Sequence, residues 1–574
     1  MCGIFLLLNN DNSFKFDYVK EQFEKGVNRG PENSKFTYLN DNLIYGFHRL
    51  AINGLDEISN QPFFINDVML ICNGEIYNYK ELYSMMGITP TTNSDCEVII
   101  HLYLKYGIEQ TLHMLDGVFA FALYDLNKNL IFISRDPYGV RPLYCLKYLN
   151  HITGFASELK VLNGFNRMDL SDSSSSDDVR NATSINHFAP GTYQTLYYHK
   201  YYKRWLIKST DKYHITSSFS NYTFQPIDSI YTMDSIYTNI QYYLQSAVNK
   251  RCITTDRPIA CLLSGGLDSS LITALVNEYY KTHNAGKKLE TYSIGLENSE
   301  DLKYARIVAD YLGTSHTEII LTEDDFFNSI SEVIYNVESY DTTSVRACLG
   351  NYALGKYISQ HSDAKVIFNG DGSDELCGGY LYMHKAPDAI EFDKETRRLL
   401  NDIYLFDVLR SDKSISSHGL EPRTPFLDKS WVQYYLSIDP KIRFHPGNLQ
   451  CEKFLLRNAF SKKHFLNSEQ QQLLPNNILW RTKEAFSDGV SCHGRSLFTI
   501  LQERIGTTTQ NKKYAHLTPT TQEQHYYRSI FESHYQNSSA VVPYFWMPRY
   551  INATDPSART LNVYSEVNTN LMNI

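Results

Sequence analysis

Apolar residues in the first part of the chain recur in short stretches bounded by polar residues, a pattern typical of strands. The predicted strands and hairpins fall at residues 2–9, 43–52, 67–76, 117–135 and 142–159. Both hairpins turn at asparagines, at 127–129 and near Asn150. Helical spacing covers 79–86 and 95–106. We therefore expect the first domain, residues 1–207, to be a sandwich of sheets flanked by helices.

The period changes after residue 229. Apolar residues then recur four apart, beginning with Ile236 and Ile240, which predicts a helix. Strands predicted near 258–263, 291–296, 316–321 and 365–368 alternate with helical segments. Alternation of this kind predicts a doubly wound parallel sheet with added helices for residues 229–574. The polar, Ser/Thr-rich stretch 208–228 is the predicted linker, and residues 390–574 are expected to be mostly helical.

Composition excludes several classes of protein. The chain has 574 residues, a net charge of −9 and no run rich in Lys and Arg, so neither nucleic acid nor a membrane surface is an expected partner. It also lacks a stretch of about 20 apolar residues that would span a membrane. Ten cysteines are scattered singly, and the apolar start lacks the basic flank of a signal peptide. These features predict a cytoplasmic protein with reduced thiols.

The N-terminus carries the first candidate site. Removal of Met1 would place a free α-amine on Cys2, and an amine with a pKa near 8 can serve as the base for its own thiol. Taken alone, Cys2 is more simply interpreted as a small buried residue that begins a strand.

Two glycine-rich loops, each after a predicted strand, carry the second candidate site. Residues 264–270 read Ser-Gly-Gly-Leu-Asp-Ser-Ser and open a helix, so their backbone N–H groups can approach phosphate. The loop lacks the Gly-Lys-Ser/Thr ending of a Walker loop, and transfer of a γ-phosphate is therefore not implied. Residues 369–375 read Asn-Gly-Asp-Gly-Ser-Asp-Glu. Crowded carboxylates favour a bound cation, and we predict that Asp268 and Asp374 hold Mg²⁺ with ATP. A capped turn and an acidic solvated turn are the simpler alternatives.

Ordered motifs through the first 140 residues resemble the class II glutamine amidotransferases. They are Cys2-Gly3-Ile4, Arg29-Gly30-Pro31, Asn73-Gly74-Glu75-Ile76-Tyr77-Asn78, Ser94-Asp95, Asp116-Gly117 and Arg135-Asp136. The loop at Ser264 resembles that of the ATP-pyrophosphatases. Further motifs from Tyr340 to Arg559, including Glu421-Pro422-Arg423 and Trp480-Arg481-Thr482-Lys483, resemble the asparagine synthetase B family. The resemblance covers almost the whole chain.

The resemblance implies ATP-dependent synthesis of asparagine from aspartate, with ammonia released from glutamine. It gives catalytic roles to Cys2, Asn73, Gly74, Asp371 and Lys483. It places glutamine among Arg49, Leu50, Ala51, Ile52, Asn53, Asn73, Gly74, Glu75 and Asp95. It places ATP among Leu263, Ser264, Gly265, Gly266, Asp268, Ser269, Ile294, Asn369 and Gly370. It places aspartate or phosphate near Thr343, Arg346 and Arg423. A homodimer is expected from the family.

Two departures from the family pattern concern the second loop. Asn369 stands where the family usually has Ser, and Asp371 stands where it has Glu, a change that bears on the rate of synthesis. Three alternatives remain. A β-lactam-type synthetase is disfavoured by the intact Cys2, Asn73 and Gly74. A glucosamine-phosphate or purine-pathway amidotransferase is disfavoured by the loop at Ser264. A non-catalytic binding relative is supported only by Asp371.

Overall fold

Two antiparallel sheets stack face to face in the first domain of the computed structural model. The structure describes the chain apart from residues 12, 41, 149–151, 167–183, 217–231, 284–285, 447–450, 485, 492–494, 507–511 and 558–574. The described strands here are β1 Gly3–Leu8, β2 Asn33–Asn40, β3 Leu43–Arg49, β4 Phe63–Ile65, β5 Val68–Ile76, β6 Gly117–Asp125, β7 Leu130–Arg135, β8 Tyr144–Tyr148, β9 Ile152–Ala156, β10 Ser184–His187, β11 Thr192–His199 and β12 Arg204–Lys212. One sheet has the order β10-β8-β9-β1-β3-β2 and the other the order β12-β11-β7-β6-β5-β4.

Helices cover the outer face of each sheet. They are α1 Phe16–Glu24, α2 Tyr79–Met86, α3 Val98–Tyr106, α4 Ile108–Met114 and α5 Leu159–Asn163. The sequence of strand β1 is apolar throughout because the strand is buried on both faces. Ile4 and Leu6 pack between the two sheets, whereas Phe5 and Leu7 pack under α1 and α5. Successive side chains of a strand point to opposite faces, so a strand buried on both faces loses the alternation of apolar and polar residues.

The second domain is built on a parallel sheet. Its strands are β13 Ile259–Leu262, β14 Glu290–Leu296, β15 Ser315–Leu321, β16 Val366–Phe368 and β17 Glu421–Arg423, in the order β15-β14-β13-β16-β17. Its helices are α6 Met233–Ile253, α7 Leu267–His283, α8 Glu300–Leu312, α9 Glu323–Asn328, α10 Ile330–Val337, α11 Thr342–His361, α12 Ser373–Cys377, α13 Ala389–Asp402, α14 Asp407–Ser416, α15 Lys429–Ser437, α16 Pro440–Arg443, α17 Phe454–Ala459, α18 Asn476–Leu479, α19 Phe486–Gly489, α20 Leu497–Ile505 and α21 Gln522–His534.

The strand order reverses between β13 and β16, which pair in parallel. The loops that follow these two strands therefore emerge side by side at the carboxyl edge of the sheet, where ligands bind in such folds. These are the two glycine-rich loops. The predicted fold class, two domains of the α+β and α/β types, is confirmed.

Some sequence predictions differ from the structure. Strand β12 extends to Lys212, and so runs into the predicted linker 208–228; residues 217–228 and the Ser-rich loop 171–178 lie outside the described residues. Strand β17 lies within the region expected to be mostly helical. Its three residues carry no run of apolar side chains, because Glu421 and Arg423 are buried as an ion pair. Within the described part of the chain, no helix combines the length and apolarity needed to cross a membrane.

Candidate active sites

Cys2 lies at the start of β1, close to the boundary between the two domains. Its backbone N–H donates to Asn73 Oδ1 over 3.1 Å, and its thiol lies 3.7 Å from the Leu50 carbonyl oxygen. Burial raises the pKa of the Cys2 thiol. The α-amine of Met1 is itself buried, 3.9 Å from Glu421 of the second domain, and burial lowers its pKa. The backbone of the residue that carries the thiol thus contacts an amide side chain of β5.

Strand β5 supplies a potential oxyanion site beside Cys2. Asn73 is fully buried, and its Nδ2 lies 3.5 Å from Ser157 Oγ. A Cβ atom at position 74 would lie 2.5 Å from the Val118 carbonyl oxygen, so only glycine fits there. An amide side chain next to a backbone N–H is the donor pair that a tetrahedral oxyanion requires.

The predicted glutamine-binding residues surround this point. Asn53 Nδ2 donates to Glu75 Oε2 over 2.6 Å and lies 3.5 Å from Asp95 Oδ1. Asp95 accepts from the Ile76 N–H over 2.6 Å, and its burial raises its pKa to about 6. Burial and the charge of Asp95 together raise the pKa of Glu75. Two buried carboxylates in one pocket favour a cationic partner, and the Arg423 guanidinium of the second domain lies 3.4 Å from Glu75 Oε2.

Arg49 holds the loop that carries the remaining predicted residues. Its guanidinium donates to the Asp56 carbonyl oxygen over 3.1 Å, to Asn60 Oδ1 over 2.7 Å and to the Gly54 carbonyl oxygen. Leu50, Ala51 and Ile52 are buried, and the second domain contacts their backbone: Arg257 Nε donates to the Ala51 carbonyl oxygen over 2.8 Å. Both domains therefore contribute to the shape of this pocket.

A cleft opens at the carboxyl edge of the parallel sheet, between the loops after β13 and β16. Predicted residues that line it are Leu263, Ser264, Gly266, Asp268, Ser269, Ile294, Asn369, Gly370, Asp371, Asp374 and Lys483. Gly265 lies in the same loop with φ +71°, and a Cβ there would lie 2.4 Å from the Tyr304 backbone. The loop is shaped by hydrogen bonds, since Ser269 Oγ lies 3.2 Å from the Ser264 N–H and accepts from it.

Two carboxylates in the cleft converge on one point. The Lys453 ammonium lies 2.6 Å from Asp268 Oδ2 and 2.5 Å from Asp374 Oδ1. Lys483 Nζ lies 2.6 Å from Asp374 Oδ2. Carboxylate oxygens are the ligands that Mg²⁺ prefers. Because the Lys453 ammonium already lies between the two, the metal at Asp268 and Asp374 stays a prediction. Within the described residues, no group of three or more His, Cys, Asp or Glu side chains is arranged to hold a metal.

Asp371 faces the cleft from the second loop. Its Oδ2 is buried and has no hydrogen-bond partner among the described residues. Burial raises the pKa of Asp371, and the nearby Arg410 opposes that rise. Asn369 donates to Ser411 Oγ over 2.7 Å and accepts from the Asp371 N–H over 3.3 Å. The two residues that depart from the family pattern therefore contact each other.

Comparison with known proteins covers both sites. The Asparagine synthase family model matches residues 239–391 and 387–552, and the Glutamine amidotransferase domain model matches residues 1–200. The relative from Gallus gallus, an asparagine synthetase [glutamine-hydrolyzing], is 40% identical over 98% of this chain and 99% of its own. The relatives of the same name from Rattus norvegicus and Homo sapiens are each 39% identical over the same shares.

The chain belongs to the asparagine synthase family. The resemblance predicted from the motifs is confirmed. This family membership removes the purine-pathway amidotransferases as an alternative, because the synthase model matches more than half of the chain.

Three residues that the resemblance assigns to the aspartate or phosphate side of an asparagine synthase are not among the residues that line the described cleft. Arg346 is buried in an ion cluster with Glu523 and Asp555, at 2.6 and 2.8 Å. Arg423 contacts Glu421 at 2.9 Å and Glu75 at 3.4 Å, and so lies beside the residues predicted to bind glutamine. Thr343 has a buried hydroxyl without a hydrogen-bond partner in the described part of the chain.

The sequence reasoning missed Lys453 and Arg410, which both line the cleft of this asparagine synthase. Lys453 belongs to none of the motifs quoted from the sequence, and Arg410 lies within helix α14. Only the tertiary structure brings them to the loops. The sequence did offer one signal for further cations in the cleft. The second loop carries Asp371 and Asp374, and two largely buried carboxylates need more positive charge than Lys483 alone supplies.

Proposed function

We propose that the protein makes L-asparagine from L-aspartate, using ammonia released from L-glutamine and converting ATP to AMP and pyrophosphate. One observation carries the proposal. A single chain joins the Cys2–Asn73–Gly74 site to a cleft whose glycine-rich loop lacks a Walker lysine. The relative from Gallus gallus, 40% identical, is named for this combination of activities.

The first half of the reaction uses Cys2 once Met1 has been removed. The thiolate attacks the side-chain carbonyl of glutamine, and Asn73 Nδ2 and the Gly74 N–H stabilise the oxyanion. The Cys2 α-amine accepts the thiol proton and passes it to the leaving ammonia. Water then hydrolyses the thioester, which releases glutamate. Asp95 and Glu75 would bind the α-ammonium of glutamine, and Arg49 its α-carboxylate once substrate displaces its present carbonyl contacts.

The second half takes place in the cleft. The β-carboxylate of aspartate attacks the α-phosphate of ATP, which forms β-aspartyl-AMP and breaks the bond to pyrophosphate. Lys453 and Lys483 would neutralise the charge of the departing pyrophosphate, since both ammonium groups already lie among the loop carboxylates. Mg²⁺ held by Asp268 and Asp374 would supply further positive charge to the phosphates.

Ammonia then attacks the acyl adenylate, and AMP leaves. Asp371 would accept the proton that the attacking nitrogen loses, because its unpartnered, partly desolvated oxygen faces the cleft. We also propose, from the family resemblance, that the enzyme acts in the cytoplasm as a homodimer on these small substrates, without a nucleic-acid or membrane partner.

The test of the proposed function is a product analysis of the purified protein given glutamine, aspartate and MgATP. We expect asparagine, glutamate, AMP and pyrophosphate. The Cys2→Ala variant should lose glutamine hydrolysis while retaining synthesis from an ammonium salt, since the nucleophile and the nucleotide cleft lie in different domains. Formation of ADP and phosphate would contradict the assignment. Loss of both activities in folded Cys2→Ala protein would contradict the two-site scheme.

A further inference from the structure

Helix α14, residues Asp407–Ser416, belongs to the second domain but contacts both candidate sites. Its polar side chains fall in two neighbouring rows. The first row is Asp407 and Ser411, and the second row is Asp412 and Ser416. The two residues of each row are four positions apart, and residues at this spacing share one side of a helix. All four are buried except for a small part of their surface.

The second row reaches the nucleophile through Arg29. Asp412 Oδ1 accepts from Arg29 Nη1 over 2.7 Å, and Ser416 Oγ accepts from the same nitrogen over 2.9 Å. Arg29 Nε in turn donates to the carbonyl oxygen of Cys2 over 3.0 Å. Arg29 Nη1 also donates to Glu158 Oε1 of the first domain over 2.9 Å. Because the guanidinium is planar and rigid, Asp412 and Glu158 together fix its position against the backbone that carries the thiol.

Lys413 reaches the oxyanion residue by a separate route. Its ammonium donates to the Ser157 carbonyl oxygen over 3.0 Å. Ser157 Oγ accepts from the Ile4 N–H over 3.1 Å and lies 3.5 Å from Asn73 Nδ2. Lys413 is itself held by Glu338 at 2.6 Å and Glu158 at 3.0 Å. The helix therefore contacts the supports of both the nucleophile and the oxyanion amide.

The first row holds the second glycine-rich loop. Asp407 Oδ2 accepts from the Gly372 N–H over 3.0 Å, and Ser411 Oγ accepts from Asn369 Nδ2 over 2.7 Å. One short helix thus joins the loop that carries Asp371 to the residues that support Cys2. Nothing in the proposed chemistry requires a helix of the synthetase domain to touch the glutaminase site.

We propose that Asp412 is a positioning residue for glutamine hydrolysis, acting on Cys2 through Arg29, so that the synthetase domain completes the glutaminase site. The inference rests on the proposed function. A buried carboxylate and guanidinium that are joined by a charge-assisted hydrogen bond hold a geometry that a neutral partner holds less well. The thiol would then meet the glutamine carbonyl at the wrong distance or angle, which slows attack without weakening substrate binding.

The experiment is steady-state kinetics of glutamine hydrolysis by the full-length Asp412→Asn variant. We expect kcat to fall on the order of 10²-fold, with the KM for glutamine within about twofold of that of the unsubstituted protein. Ammonia-dependent asparagine synthesis should persist. Ser416→Ala removes the hydroxyl contacts to Arg29 and Asp412 but no charge. It should lower kcat in the same direction by less, and it keeps the test available if Asp412→Asn does not fold.

The matched control is Lys250→Met, which does not touch Arg29. It removes another ion pair between the domains, to Asp116 at 2.5 Å, together with the pair to Asp428 of its own domain, also at 2.5 Å. It should leave glutamine hydrolysis unchanged. An unchanged kcat in both Asp412→Asn and Ser416→Ala would overturn the inference, as would an equal loss in Lys250→Met. Absence of glutamine hydrolysis in the unsubstituted protein would instead overturn the proposed function itself.

Discussion

Asp371 is the residue at which this chain departs most from its family, and its surroundings explain how a shorter side chain can serve. Asn369, the second departure, is fixed to Ser411 of α14 and accepts a hydrogen bond from the Asp371 backbone. The usual serine at 369 is shorter and could not bridge the same gap. The two substitutions therefore form one adjusted loop.

The first prediction concerns this adjustment. Asp371→Glu should not raise asparagine formation, because the added methylene moves the carboxylate by about 1–1.5 Å, and a displacement of that size can cost on the order of 10²-fold in rate. Asp371→Asn should reduce asparagine formation more than adenylate formation, measured as ATP–pyrophosphate exchange. The double variant Asn369→Ser with Asp371→Glu restores the family pair and should recover activity. A rise of about tenfold or more in Asp371→Glu alone would refute the adjustment.

The second prediction concerns Asp95 and pH. Burial raises the pKa of Asp95 to about 6, so the carboxylate is charged above pH 6 and neutral below it. Only the charged form attracts the α-ammonium of glutamine. The KM for glutamine should therefore increase as the pH falls from 7 to 5 (roughly its titration range). Asp95→Asn should show a high KM with little dependence on pH. A KM for the unsubstituted enzyme that stays constant over this range would exclude the role.

Helices and strands differ in how clearly their sequences predict them. Strand β13, Ile259–Leu262, is a short apolar run with every residue buried, because the interior of a parallel sheet is covered on both faces. Strand β17 is three residues long and carries Glu421 and Arg423, which bury their charges against each other and against Arg141 and Glu75. No apolar pattern marks such a strand, since ion pairing between distant segments replaces apolar burial.

The third prediction concerns Arg346 on α11. The family role near aspartate stays a prediction, whereas the contacts of Arg346 with Glu523 and Asp555 indicate that it anchors α21 and the C-terminal segment. Arg346→Met should lower the free energy of unfolding by about 3–5 kcal/mol, because it leaves buried carboxylates unpaired. Glu523→Gln should destabilise the protein in the same way. If Arg346→Met alone raised the KM for aspartate, the substrate role would be supported.

At the scale of the whole molecule, the two domains share a buried interface of charged groups beside the glutaminase site. Met1 lies within this interface: its side chain packs with Leu50 and Ile52, and its amine faces Glu421. While Met1 remains, the nitrogen of Cys2 is an amide and cannot accept a proton.

The fourth prediction follows from the position of Met1. Protein that retains Met1, obtained by inhibiting methionine aminopeptidase and verified by mass spectrometry, should hydrolyse glutamine 10²- to 10⁴-fold more slowly, roughly the contribution of a general base. Ammonia-dependent synthesis should be unaffected, since the cleft lies in the other domain. Equal glutamine hydrolysis by the two forms would show that the α-amine is not the base.

The sequence by itself determined the two-domain fold, the family, and the loops at Ser264 and Asn369. These features are encoded locally: apolar period sets element type, and glycine is required where another backbone approaches, as at Gly74 and Gly265. Only the tertiary structure decided where the charged side chains lie. It placed Lys453 and Arg410 at the cleft, left Arg346 and Arg423 outside the lining of the described cleft, and joined Asp412 to Arg29. Ion pairs form between residues hundreds of positions apart, and local spacing carries no information about such partners.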